Sequence, residues 1–279
     1  MRTDDFKYTV VNMYTKGNER MKIAAYQFGV TGNIRRNMVE MENAIRQAAA
    51  SQAELIVFPE CALTGYPPRD LPDSQSVDMA AVTQALPRLQ ELADAYKIRI
   101  LAGTIAFDEV YRNRAYFFVP GEPATWYDKR ALYGWDRDNF TEGDKDGVFT
   151  IGEYKIGVRI CFEVRFPEYF RELYRARTDL NIVLFNDVAD TDDTSRYQMI
   201  RSHLITRAVE NVTPFLTVDA TAPYQTAPTC VIDASGAVVH ELERNAAGLL
   251  LFDFEKKELN FGEIGRKELS DHLLGVKPD

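Results

Sequence analysis

Short apolar runs and helix-period stretches alternate along nearly the whole chain. Residues 22–28 (KIAAYQF) are apolar and β-favouring and stop at Gly29, the pattern of a strand. Asn33 stands where an N-cap belongs, before a stretch to about residue 50 that places Met38, Met41, Ile45 and Ala48 or Ala49 on one helix face. Residues 54–58 (ELIVF) are short and apolar throughout, as a strand buried on both faces would be. A helix over about 77–96 follows, then an apolar strand at 98–105 and a more polar one at 114–120. Strands at 148–151 and 155–160 flank Gly152-Glu153 as a hairpin. A helix at 167–177 opens on Pro167, where proline is tolerated. Strand 181–185, helix 195–211 and strands 214–218, 229–233, 237–241 and 248–252 complete the series, with Asp233-Ala234-Ser235-Gly236 as a second hairpin connection.

Strands and helices in this alternation predict an α/β fold with helices on the sheet faces. No repeat, low-complexity tract or linker interrupts it, so residues 21–279 are read as one domain and residues 1–20 as an extension. No dinucleotide fingerprint or phosphate-binding loop is present. The hydrophobic share of 46% and charged share of 27% are those of an ordinary soluble protein. Net charge, 33 − 42 = −9, argues against a nucleic-acid partner, which needs a basic face. No stretch reaches the roughly 20 apolar residues of a membrane span, and the first twenty residues lack the apolar core of a signal peptide. A cytoplasmic location is the resulting expectation. Cys61, Cys161 and Cys230 are too scattered for a disulfide framework or a metal knuckle. A cysteine in such a chain is ordinarily a small core residue, so any catalytic role must come from its setting.

Three strand ends supply such settings. At Phe58-Pro59-Glu60 an apolar run ends on a carboxylate, in the position where α/β proteins place ligands, and the turn-forming LTGYPP segment follows. At Tyr127-Asp128-Lys129 a lysine follows a strand; alone it would be solvated. At Cys161-Phe162-Glu163 a thiol stands between an apolar strand and a helix, an elbow that aims a side chain into a cleft; a helix N-terminus there would lower the thiol pKa. Together the three suit amide cleavage. The thiol needs a base to become a nucleophile, Glu60 can take and return that proton, and a lysine ammonium with a backbone N–H can hold an oxyanion. The histidines, His203, His240 and His272, are not required.

FPE at 58–60, YDK at 127–129 and ICFEVRFPE at 160–168 resemble the three signature segments of the nitrilase, or carbon–nitrogen hydrolase, superfamily, in its order and spacing. LTGYPP at 63–68 and RAVEN at 207–211 add to a resemblance that covers about residues 21–265. It implies a four-layer α-β-β-α sandwich, with Glu60 as general base and acid, Lys129 as oxyanion stabiliser and Cys161 as the acylated nucleophile. It also implies a second oxyanion donor in the Phe162 N–H, pairing into a homodimer or larger assembly, and no metal or organic cofactor. The chain departs from the family where a second Glu precedes a Pro-Gly pair: here Glu142 replaces the proline, and Asp136 is the carboxylate nearest the family position. Asn186-Asp187-Val188-Ala189-Asp190 likewise replaces a Pro, small-residue and Trp pattern.

The Cys-Phe-Glu-Val-Arg-Phe-Pro-Glu segment is most similar to that of omega-amidases and Nit-type amidases, which implies hydrolysis of a small aliphatic amide. Arg165 is then a candidate for binding a substrate carboxylate, or an ion-pair partner of Glu163 or Glu168. The acidic run from Asp187 to Asp193, with Asn186 before it, points instead to an amine-bearing substrate such as a carbamoyl polyamine, or is a solvated face. Carbamoyl hydrolysis, nitrile hydrolysis, acyl transfer and a catalytically silent binding subunit of the same fold stand as alternatives.

Overall fold

A computed structural model describes residues 20–277, so the reading of residues 1–20 as an extension falls, Arg20 apart, outside the described residues. β1 (Met21–Gln27) leads to α1 (Ile34–Ala50), which the Asn33 side chain caps by accepting the Arg36 N–H at 3.0 Å. β2 (Leu55–Val57) and α2 (Met79–Tyr96) follow, then β3 (Arg99–Asp108), β4 (Val110–Phe118), β5 (Thr125–Asp128) and the short α3 (Trp135–Asn139). β6 (Val148–Ile151) and β7 (Tyr154–Ile160) form the expected hairpin. A five-residue 3-10 turn, Cys161–Arg165, joins β7 to α4 (Pro167–Arg175). Then come β8 (Leu180–Leu184), β9 (Val188–Ala189), α5 (Thr194–Asn211), β10 (Phe215–Val218) and β11 (Tyr224–Gln225). β12 (Cys230–Ile232), β13 (Val238–Glu241), β14 (Gly248–Phe254) and α6 (Phe261–Leu274) close the series.

Two six-stranded sheets carry these strands, in the orders β14-β1-β2-β3-β4-β5 and β13-β12-β10-β8-β7-β6. The period-two alternation of strand side chains sets the layers. Ile23, Leu55, Val57 and Leu101 of the first sheet pack against Val158, Ile160, Ile182 and Leu216 of the second. The opposite side chains of the first sheet, Ala24, Ile56 and Ile100, bury against Met41, Ile45 and Leu89 of α1 and α2. Those of the second, Val183 and Phe215, bury against Phe170 of α4 and Leu204 of α5. The result is the α-β-β-α sandwich that the resemblance implies.

β9, β11, α3 and α6 have no counterpart in the sequence reading. β9, β11 and α3 are too short to carry a period. In α6 the apolar Phe261, Leu269 and Leu273 are exposed, so no core-facing stripe marks the helix. Polar bonds hold it instead: Tyr174 donates to Asp271 at 2.6 Å and Arg177 pairs with Asp271 at 2.8 Å. Among the described residues no helix is long and apolar enough to cross a membrane.

The two sheets meet at their strand ends. Leu184 of β8 lies in register with Ile160 of β7, so the residues after them are neighbours. Across the seam, the Glu60 N–H bonds the Phe185 carbonyl at 3.1 Å, and the Asn186 N–H returns a bond to Glu60 Oε2 at 2.9 Å. Gly103 lets the Glu60 loop close onto β3. A Cβ there would stand 2.4 Å from the Pro59 carbonyl oxygen, 2.5 Å from the Cys61 nitrogen and 2.7 Å from the Glu60 Cα, all backbone atoms. Gly103→Ala must therefore push the loop away. It is expected to cost about 1–3 kcal/mol in denaturant unfolding, in the range of core overpacking. An unchanged unfolding midpoint would show that the loop is not held this tightly.

Candidate active site

Each strand end delivers one functional group. Glu60 follows β2, Lys129 follows β5 and Cys161 follows β7; Glu60 and Lys129 are each 1% exposed. A buried lysine is costly unless its charge is met. Here Lys129 Nζ lies 2.8 Å from Glu60 Oε1 and 2.7 Å from Asp136 Oδ2. The carboxylates are held in turn. Asn113 Nδ2 donates to Glu60 Oε1 at 2.7 Å, the Asn186 N–H to Oε2 at 2.9 Å, and the Tyr66 hydroxyl to Asp136 Oδ1 at 2.6 Å. One ammonium against two carboxylates leaves a surplus negative charge beside Cys161, so the cluster takes up a proton readily.

The titration directions follow. Burial pushes the Glu60 pKa up, and Asp136 adds to this, while Lys129 and the Asn113 bond only partly offset it. For Lys129, burial works against the charged form, but Glu60 and Asp136 outweigh it and hold the ammonium firmly protonated. Burial, then the Glu60 charge, push the Cys161 thiol well up, against the pull of Lys129. This corrects the expectation of a thiol acidified by a helix N-terminus. The element that begins at Cys161 is one 3-10 turn, too short to build a macrodipole, and α4 starts only at Pro167. The setting of Cys161 favours the thiol over the thiolate.

Cys161 has φ +47°, in the left-handed region that a non-glycine residue adopts at a cost. Glu163 holds this elbow. Its Oε2 accepts the Ile160 N–H at 2.7 Å, and its Oε1 accepts the Tyr127 hydroxyl and the Arg130 N–H, both at 2.7 Å. Glu163 thus ties the Cys161 turn to the segment bearing Lys129 and, among the described residues, makes no ion pair with Arg165. Phe162, at the second position of the turn, has no carbonyl within it for its N–H to bond, so that donor is available to a ligand. The Phe162 ring stacks on Tyr133, centroids 6.3 Å apart.

The other candidates separate. Asp136 sits in the cluster; the Glu142 side chain is exposed, and the Arg112 guanidinium meets its backbone carbonyl. Asn186 joins the site through Glu60, accepting Arg69 Nη2 at 2.8 Å on its side chain. Asp187 is buried and paired with Arg196. Arg165 makes no ion pair with Glu163 or Glu168; its Nη1 lies 3.7 Å from Met199 Sδ. The acidic run is largely spent internally: Asp187 pairs with Arg196, Asp192 with Arg244, and Asp193 caps α5 through the Arg196 N–H at 2.9 Å. Tyr66, Asn113 and Glu163 escaped the sequence reading. Tyr66 lay within the noted LTGYPP turn and Glu163 within the third signature, whereas nothing local marks Asn113.

A model of the carbon-nitrogen hydrolase family matches residues 22–260. The chain belongs to that family. This carbon-nitrogen hydrolase is 29% identical over 267 residues to the deaminated glutathione amidase of Synechocystis, a match spanning 88% of this chain and 92% of that protein. It is 29% identical over 170 residues to an (R)-stereoselective amidase of a Pseudomonas species, covering 58% of this chain and 59% of the relative's length. Its fold matches the crystal structure of an amidase from a Nesterenkonia species with a TM-score of 0.75 at 24% identity, over 91% of this chain and 96% of that one.

Glu163→Ala strips the elbow of its acceptor and leaves buried N–H donors without partners, each costing about 1–3 kcal/mol. A loss of at least that size in denaturant unfolding is expected. Loss of under 1 kcal/mol would show that the turn keeps its shape without Glu163.

Proposed function

We infer that this carbon-nitrogen hydrolase cleaves the C–N bond of a small linear amide through a thioester on Cys161. The observation that carries this reading is the buried Lys129 ammonium clamped between Glu60 and Asp136, next to a strained cysteine with no other evident purpose. The Cys161 proton passes to Glu60 as the sulfur attacks the amide carbonyl. Two of the three ammonium N–H groups of Lys129 face carboxylates; the third, with the Phe162 N–H, receives the oxyanion. Glu60 returns its proton to the departing nitrogen, the C–N bond breaks, and ammonia or an amine leaves. Water then gives a proton to Glu60 and its oxygen to the acyl carbon. The S–C bond breaks and the thiol takes the proton back. Asp136 positions Lys129 and does not touch the reacting atoms.

Ammonia release from a panel of small amides, carbamoyl compounds and nitriles tests the reading. Wild-type protein is expected to release ammonia from amides, and Cys161→Ala to lose the activity outright. Equal release by both proteins, or turnover of nitriles alone, would overturn the proposal. Hydroxylamine added to the wild-type reaction should divert part of the acyl group to hydroxamate.

The pH profile offers a second check. Glu60 acts as base only when ionised, and its pKa is raised above the ordinary 4.5. Activity therefore falls as pH drops through that raised value, and the acid limb of kcat/KM lies above pH 4.5. Asp136→Asn removes a charge that raises Glu60, so the limb should move to lower pH. A limb that stays in place would show that the Asp136 charge does not reach the base.

A further inference from the structure

Asn186 and Asp187 lie just past the end of β8, after Phe185, and the second of them is a mount for an arginine. Asp187 Oδ1 and Oδ2 accept Arg196 Nε and Nη2 at 2.6 and 2.7 Å. Asp187 is itself fixed from several sides. Its N–H bonds Asp219 Oδ1 at 2.8 Å, its carbonyl accepts both the N–H and the hydroxyl of Thr226 at 2.8 Å, and that hydroxyl also meets Oδ1. The Asp187 side chain is 8% exposed while that of Arg196 is 42% exposed, so a rigid buried fork holds a guanidinium whose far edge faces solvent. Arg196 Nη1 has no bond among the described residues.

α5 carries this group along the nucleophile turn. Arg196, Met199, His203 and Arg207 are spaced by three or four residues and share one helix face. Arg207 Nε and Nη2 bond the carbonyls of Val164 and Arg165 at 3.0 and 3.2 Å, and Met199 Sδ lies 3.7 Å from Arg165 Nη1. The face bearing Arg196 therefore runs beside the Cys161–Arg165 turn. From the other side, Glu60 Oε2 binds the Asn186 N–H, one residue before the mount. Cys161 lies near enough that a thiolate there would favour the charged form of Arg196.

We propose that Arg196 is a specificity-determining residue of this enzyme, donating from Nη1 to a carboxylate at the end of the substrate remote from the scissile amide. Asp187 is its positioning residue. With most of its charge met by Asp187, Arg196 attracts anions weakly at a distance and selects by direction, which suits a fixed spacing between carboxylate and amide. Arg165 lacks such bracing: among the described residues no carboxylate holds it, and it lies over the Phe162 ring at 5.8 Å. This assignment rests on the acyl-enzyme reading above.

The test is protection of Cys161 from iodoacetamide, followed by mass spectrometry, with glutarate or butyrate as a stand-in for the acid product of an anionic or a neutral amide. Glutarate should protect the wild-type protein at a concentration about tenfold below butyrate, the discrimination one charged hydrogen bond provides. Arg196→Gln should raise the half-protecting concentration of glutarate about tenfold and leave that of butyrate in place. Arg201→Gln, an equal change of charge on the same helix, should shift neither. Equal protection by the two acids in wild-type protein, or an equal shift in Arg201→Gln, would overturn the assignment of Arg196 while leaving the hydrolase reading standing. A Cys161 that iodoacetamide labels no faster than Cys61 or Cys230 would overturn the acyl-enzyme reading, and this proposal with it.

Discussion

A lysine ammonium with 1% of its surface exposed lies at the junction of two sheets, and the arrangement of the site answers to it. Removing such a charge from water costs several kcal/mol, which only close, well-oriented opposite charge offsets. Glu60 and Asp136 supply that charge at 2.8 and 2.7 Å, but two carboxylates overcompensate one ammonium. The surplus is tolerated because Asn113, Tyr66 and the Asn186 N–H each donate to one of the carboxylates. Burial, with the Asp136 charge adding to it, raises the proton affinity of Glu60.

The second constraint is backbone shape. Cys161 turns the chain from β7 with a positive φ, and the strain persists because Glu163 fastens both sides of the elbow. Glu163 also reaches Tyr127, two residues before Lys129, so one buried carboxylate sets the Cys161 turn and the ammonium relative to each other. Gly103 performs the matching service for Glu60 by letting its loop settle against β3 without a side chain between them. The three groups come from strands far apart in sequence, and contacts from other segments hold each of them in place.

The loop after β8 shows how composition misleads about charge. Four aspartates in seven residues read as an anionic face, but Asp187, Asp192 and Asp193 are each engaged with an arginine or a helix end. What the loop presents outward at its first acid is the guanidinium of Arg196. A net charge of −9 for the whole chain likewise says nothing about the polarity of a cleft where each carboxylate has been given a donor.

Much of the fold was legible because burial writes periods into the chain: the apolar runs of β2 and β8 mark strands buried on both faces, and the apolar stripe of α1 marks a helix buried on one. α6 escaped, since its apolar residues face outward and leave no stripe, and α3 escaped through brevity. By itself the sequence determined the α/β alternation and the residue types at three strand ends, Glu60, Lys129 and Cys161, with the signatures that tie them to one family. Tertiary structure alone decided that Asp136 and not Glu142 meets Lys129, that Asn113 serves Glu60, that Glu163 braces the elbow, and that Asp187 holds Arg196. Asn113–Glu60 and Glu163–Tyr127 join segments tens of residues apart, and even Asp136–Lys129 and Asp187–Arg196 link residues on different elements. A local pattern records which face of an element is buried, but not which distant side chain completes a hydrogen bond there.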